Sequence, residues 1–241
     1  MSEHSFSPAW RAQPLGRRNF LRVSAASAAT AALVATTGCG TDTPEPTKAD
    51  PYQLALPAGD AGLFYYAYIL AQALYTTYDK VVATPPTDLT TTERAVISDM
   101  RSHQLVYREL LRHYIDPTLK VVLFPTDFAF NTSSFTLTTR AGALAAVQQL
   151  ADLAAAAYPV LLPLFTTSFY PRALLLKSLS VQARHAATIR DLRTPGSFAD
   201  ATVTDPATGL LRTKTPAEVT AALAPYFAPY VLSVANLTVP V

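Results

Sequence analysis

The chain of 241 residues carries four histidines and a single cysteine, the side chains with the widest chemistry. Imidazole binds metals and moves protons near neutral pH, and a thiolate is both a nucleophile and a metal ligand. His185 follows Gln182 by three residues in Ser180-Val181-Gln182-Ala183-Arg184-His185. On a helix that spacing puts both on one face, and a lone histidine there is read as a core residue bonded to a neighbour. His103 and His113 sit beside charged residues and are expected at the surface, while His4 lies in the N-terminal segment. Tyr65, Tyr66, Tyr68, Tyr75 and Tyr78 crowd one stretch and are expected to pack rather than to relay electrons. Arg184 and Asp191 read as a solvated helix face. The sequence has no glycine-rich phosphate loop, no G-x-S-x-G elbow, no HExxH and no CxxC. Cys39 has no second cysteine to pair with, so no internal disulfide forms.

The elements that must position these residues follow from composition. Half of the residues are hydrophobic and 15% are charged, which excludes a disordered chain. The basic excess is local: residues 1–39 hold Arg11, Arg17, Arg18 and Arg22 against Glu3. The remainder is close to neutral and has no general pull on anionic partners, so nucleic acid is not an expected partner. Gly16-Arg17-Arg18-Asn19-Phe20-Leu21-Arg22 precedes an uncharged, alanine-rich run to Gly38. A basic region before a short, mildly apolar one is an export signal. The pair Arg17-Arg18 followed by Phe20-Leu21 resembles the twin-arginine signal. Thr36-Thr37-Gly38-Cys39 resembles a lipoprotein processing site at which Cys39 is acylated. The expected organisation is a signal peptide over 1–39, a polar, proline-punctuated tether over 40–58 and one domain over 59–241. The protein would then be periplasmic and held to a membrane by its lipid.

Helical periods dominate the rest. Asp60 to Val82 is apolar almost all round, as in a helix buried on most sides. Pro85-Pro86 ends it. Thr90 with Glu93 is a capping box and opens a second helix to about Tyr114, stopped by Asp116-Pro117. Val121 to Thr139 is rich in Phe, Thr and Val without a helical period and reads as an extended crossover. A third helix runs from about Arg140 to Tyr158, with Pro159 and Pro163 expected to kink or end it. A fourth runs from about Arg172 to Leu192, and Ser197 to Thr213 is a loop. Thr215-Pro216-Ala217-Glu218 opens a short last helix, expected to break at Pro225 or Pro229. Four long helices joined short–long–short predict an all-α fold: a ferritin-like four-helix bundle with one long crossover between helices 2 and 3.

Four segments carry a family resemblance. Ser180-Val181-Gln182-Ala183-Arg184-His185-Ala186 is similar to S-V-E-A-R-H-A. Asp99-Met100-Arg101-Ser102-His103-Gln104-Leu105-Val106-Tyr107-Arg108-Glu109 is similar to D-I-R-x-H-E-x-x-H-R-E. Asp152-Leu153 with Ala157-Tyr158 resembles E-D-L-G-V-x-A-Y, and Leu70-Ala71-Gln72 with Tyr78-Asp79-Lys80 resembles L-E-Q-L-E-x-x-F-Y-x-K. The chain thus resembles exported bacterial ferritin-like domain proteins with twin-arginine signals. The resemblance implies a di-metal site built from glutamates and Glu-x-x-His pairs that project into the bundle. It places those ligands at Ala71 and Leu74, at Gln104 and Tyr107, at Ala151, and at Gln182 and His185. Of the family's ligands only the histidine at 185 is kept.

Iron or manganese in such sites is held by hard carboxylate oxygens with imidazole help. Neutral amides and one imidazole offset no charge, so the expectation is no stable di-metal centre and no cofactor. Buried glutamates without metal would pay heavy desolvation, which Ala, Leu and Gln avoid. Gln104, Tyr107, Gln182 and His185 are expected to form a neutral hydrogen-bonded cluster between helices 2 and 4. The reading that follows is a non-catalytic bundle with a structural or binding role. Its expected partner is a second copy or a metal-competent ferritin-like relative. The rival is a di-iron or manganese oxidase or a metal-storage protein with a rearranged site, using His185 with Asp99, Asp152 or Glu109. A third is a carrier of a small apolar ligand beside Ala71 and Ala151.

Overall fold

The computed structural model describes residues 51–118, 124–125, 128–166 and 169–237, all within the unit Ala49–Val241. The twin-arginine motif Arg17, Arg18, Phe20 and Leu21, the lipidation position Cys39 and most of the expected tether lie outside the described residues.

Helix α1 (Gly59–Ala83) buries most of its circumference, from Leu63 and Tyr66 through Ala71 and Leu74 to Tyr78 and Val81, and leaves one stripe through Tyr65, Tyr68, Gln72 and Tyr75 half-buried. That matches its almost uniformly apolar sequence. The Thr84 N–H closes the helix on the Lys80 carbonyl ahead of Pro85-Pro86. Helix α2 (Thr91–Ile115) starts at the expected capping box. The Thr90 hydroxyl accepts from the Glu93 N–H at 3.2 Å, and the Glu93 carboxylate accepts from the Thr90 N–H at 2.9 Å. This helix buries one stripe, Ile97, Met100, Gln104 and Leu111, and leaves the opposite face polar.

Helix α3 (Arg140–Leu161) is capped by Thr139 and buries its alanine-rich body. It runs through Pro159 and continues as a short 3-10 turn, Leu162–Leu164. The proline, expected to kink or end the helix, removes one hydrogen bond near the C-terminus and leaves the rest of the ladder intact. Helix α4 spans Phe169–Arg193. Helix α5 (Pro216–Phe227) again begins with a capping box, Thr215 with Glu218. It passes through Pro225 and ends at Phe227, so of the two expected break points it is the one at Pro229 that stops the helix. By length and composition α3 with its 3-10 turn could cross a bilayer, yet 67% of its apolar 18-residue window is buried, as in a core helix.

The helices pack as two hairpins, α1 with α2 and α3 with α4. Helix α1 lies against α3, and α2 meets α4 over few residues. This is the ferritin-like bundle that the connection lengths predict. The long crossover between α2 and α3 is held by rings. Phe124 packs on Tyr65 and Tyr68 of α1 and on Phe128, whose ring stacks on Phe227 of α5. Phe130 and Phe135 pack on Tyr226. Its phenylalanines are therefore core residues of the bundle's flank.

One element contradicts the sequence reading. Gln53–Ala55, assigned to the tether, forms strand β1 and pairs in parallel with β2 (Val231–Ser233), with Leu54 opposite Leu232. Leu56 after it is 2% exposed. Three residues are too few to set a period-two pattern, and the pairing partner is distant in sequence.

Candidate functional site

The site sits where α2 faces α4. Gln104 and Gln182 each project from the buried stripe of their helix and are fully buried. Gln104 Nε2 donates to Gln182 Oε1 at 2.9 Å, and Gln182 Nε2 donates to Gln104 Oε1 at 3.1 Å. Each amide satisfies the other, so no polar group of the pair has to find water. Gln104 Nε2 also faces His185 Nδ1 at 3.4 Å. On its far side, His185 Nε2 lies 3.1 Å from His103 Nδ1. The two rings are nearly parallel, with centroids 5.3 Å apart and 13° between planes.

His185 is 6% exposed. Burial first, then the neighbouring His103 and Arg184, push its pKa down to about 4. The ring is therefore neutral at pH 7. With an amide N–H of Gln104 facing Nδ1, the proton of that ring resides on Nε2 and is donated to His103 Nδ1. The result is a hydrogen-bonded chain, Gln182–Gln104–His185–His103, that runs from the core to the surface.

The other positions that the resemblance singles out hold nothing that reaches this chain of bonds. Ala71, Leu74 and Ala151 are buried and apolar. Tyr107 is half-buried and makes no hydrogen bond to Gln104, Gln182 or His185 among the described residues, which corrects its expected place in the cluster. Burial raises its phenol pKa, against the lowering effect of Arg184. Asp152 is bound bidentately by Arg190, both contacts at 2.8 Å, and Arg190 also holds Asp200 at 2.9 Å. Glu109 pairs with Arg108, and Asp99 is exposed. Among the described residues no group of three or more His, Cys, Asp or Glu is placed to hold a metal ion.

His113 is exposed, as expected, and so is His103. Yet His103 bonds the core histidine, which the sequence reading missed. Its charged neighbours on α2 pointed outward, and the only signal was its position next to Gln104. The crowded tyrosines of α1 pack as anticipated: Tyr66 and Tyr78 are core and Tyr65 and Tyr68 line its edge, while the half-buried Tyr75 accepts from Arg101 at 3.3 Å. The hydroxyls of Tyr66, Tyr78 and Tyr158 are buried without a hydrogen-bond partner among the described residues. Burial raises all three phenol pKa values, so these groups stay protonated. Arg184 and Asp191 are exposed, and Asp191 accepts from the Gly196 N–H at 2.7 Å.

A family model described as a ferritin-like domain matches residues 59–195. No curated protein and no solved structure matches the chain.

Proposed function

Because the chain belongs to the ferritin-like domain family, we propose that it serves as an exported, lipid-anchored bundle with a structural or binding role and no working di-metal site. The reciprocal Gln104–Gln182 pair carries this reading. Two metal ions in such a bundle need carboxylates and imidazoles that project inward from all four helices. Here both amide oxygens are engaged by the opposite amide. Asp152 is neutralised by Arg190, and the remaining inward positions on α1 and α3 are Ala71, Leu74 and Ala151. This donor set brings no negative charge to balance four positive charges, so the group does not fit. The bundle folds around bonded neutral groups and needs no ion to close it.

Export of a folded protein through the Arg17-Arg18 signal suits a bundle that is complete without metal. An acylated Cys39 would leave it on the periplasmic side of a membrane. There it would act beside a second copy or a metal-competent relative rather than as the catalyst. Metal analysis of the protein purified after export tests the central point. Iron and manganese far below one ion per chain are expected. Two ions per chain would overturn the reading in favour of an oxidase or storage protein. A ferritin-like protein that co-purifies supports the partnership, and a lone monomer removes that part of it.

A further inference from the structure

We propose that His103 and His185 form a binding site for one borderline transition-metal ion, represented by Zn2+, at the mouth of the seam between α2 and α4. It differs from the family's two-ion cage. It uses two imidazoles and no carboxylate, and His103 is not one of the expected ligand positions. The facing nitrogens, His103 Nδ1 and His185 Nε2, are 3.1 Å apart. Two imidazole nitrogens bound to one tetrahedral zinc at about 2.0–2.1 Å lie about 3.3 Å from each other. The spacing of two cis ligands is therefore nearly preformed, and the rings must tilt so that both lone pairs meet on a point beside the line between them. His103 is exposed, which leaves the ion a path from solvent and leaves its other positions to water. Arg184, whose charge reaches His185, works against any cation there and limits the site to a single ion held by its two nitrogen bonds.

The proton balance explains the amides. Without metal, His185 carries its proton on Nε2. An ion there takes the Nε2 lone pair, so that proton moves to Nδ1 of the same ring, and none is released. The new Nδ1–H then needs an acceptor where Gln104 now presents its N–H. A half-turn of both amides solves this. The reciprocal Gln104–Gln182 bonds re-form with oxygen and nitrogen exchanged, and Gln104 Oε1 accepts from His185 Nδ1. A metal-bound histidine almost always donates its other N–H to such an acceptor. The amide pair thus serves either tautomer of His185 without losing a bond.

Calorimetric titration with Zn2+ of the full chain, purified at neutral pH without a histidine tag, is the test. One ion per chain is expected, with affinity reduced about tenfold or more in His103→Ala and unchanged in His113→Ala. Nitrogen-15 spectra of the imidazoles should show His185 changing from the Nε2–H to the Nδ1–H form as zinc is added. Equal affinity in His103→Ala, or a His185 tautomer that does not change, would overturn the site. Absence of zinc binding would overturn it too, while leaving the reading of a bundle without a di-metal centre untouched.

Discussion

Burial of His185 beside His103 and Arg184 makes the fold sensitive to acid in a defined window. The imidazole titrates near 6.5 when unfolded and at about 4 in the folded protein. Between these values the unfolded chain binds more protons, so stability rises with pH. His185 imposes no penalty above about pH 6.5, and its penalty grows as the pH falls towards 4, reaching about 3 kcal/mol at most. Urea denaturation between pH 4 and 8 checks this. His185→Gln should show a shallower acid loss than the parent, and parallel curves would contradict it. At this scale the sequence was informative about type and face. The three-residue spacing put Gln182 with His185, and the missing acids pointed to a neutral cluster. It was silent on which side chains cross to a neighbouring helix. His103 reaches across and Tyr107 does not, and that depends on the packing of α2 against α4 rather than on the period of either helix.

Helix α1 is set against the strand pair through a contact that admits no side chain. A Cβ on Gly62 would lie 1.8 Å from the Pro57 carbonyl oxygen and 2.7 Å from Leu237 Cδ2. Gly59, by contrast, has open space and a φ of +67°. Gly62→Ala must displace backbone and is expected to cost about 1–3 kcal/mol. Gly59→Ala should cost about 1–2 kcal/mol from the left-handed backbone alone. Chemical denaturation ranks them, and the discriminating readout is hydrogen exchange at β1: Gly62→Ala should loosen the Leu56 amide, which donates to Ser233 at 2.9 Å, and Gly59→Ala should not. Element boundaries were legible where chemistry is local. Thr90 with Glu93 and Thr215 with Glu218 announced two helix starts, and both capping boxes form. Pro159 and Pro225 are carried inside their helices because a proline near a helix end costs one bond, which packing outweighs, and each helix ends short of the next expected breaker, Pro163 or Pro229. Strand β1 was invisible because its partner β2 lies at the far end of the domain.

At the scale of the whole chain, the bundle's connectivity was readable from loop lengths alone, while the export proposed for it rests on the sequence of the N-terminal segment. Arginine's planar fork is not reproduced by lysine, so the double change Arg17→Lys and Arg18→Lys is expected to leave the protein unexported. Cys39→Ala should permit export but move the protein from the membrane to the soluble fraction. Fractionation of cells with detection of the protein in each compartment checks both. Accumulation of the double variant outside the cytoplasm would refute the twin-arginine proposal. The interlocked amides also limit which single substitutions the seam accepts. A glutamate placed at 104 or 182 alone would strand a charge in a buried seam, with Arg190 already claimed by Asp152 and Asp200. Such a step is penalised by several kcal/mol or else answered by a protonated, useless acid. A carboxylate pair could enter this seam only through several simultaneous changes, so the two interlocked glutamines act as a lock against single-step acquisition of charge.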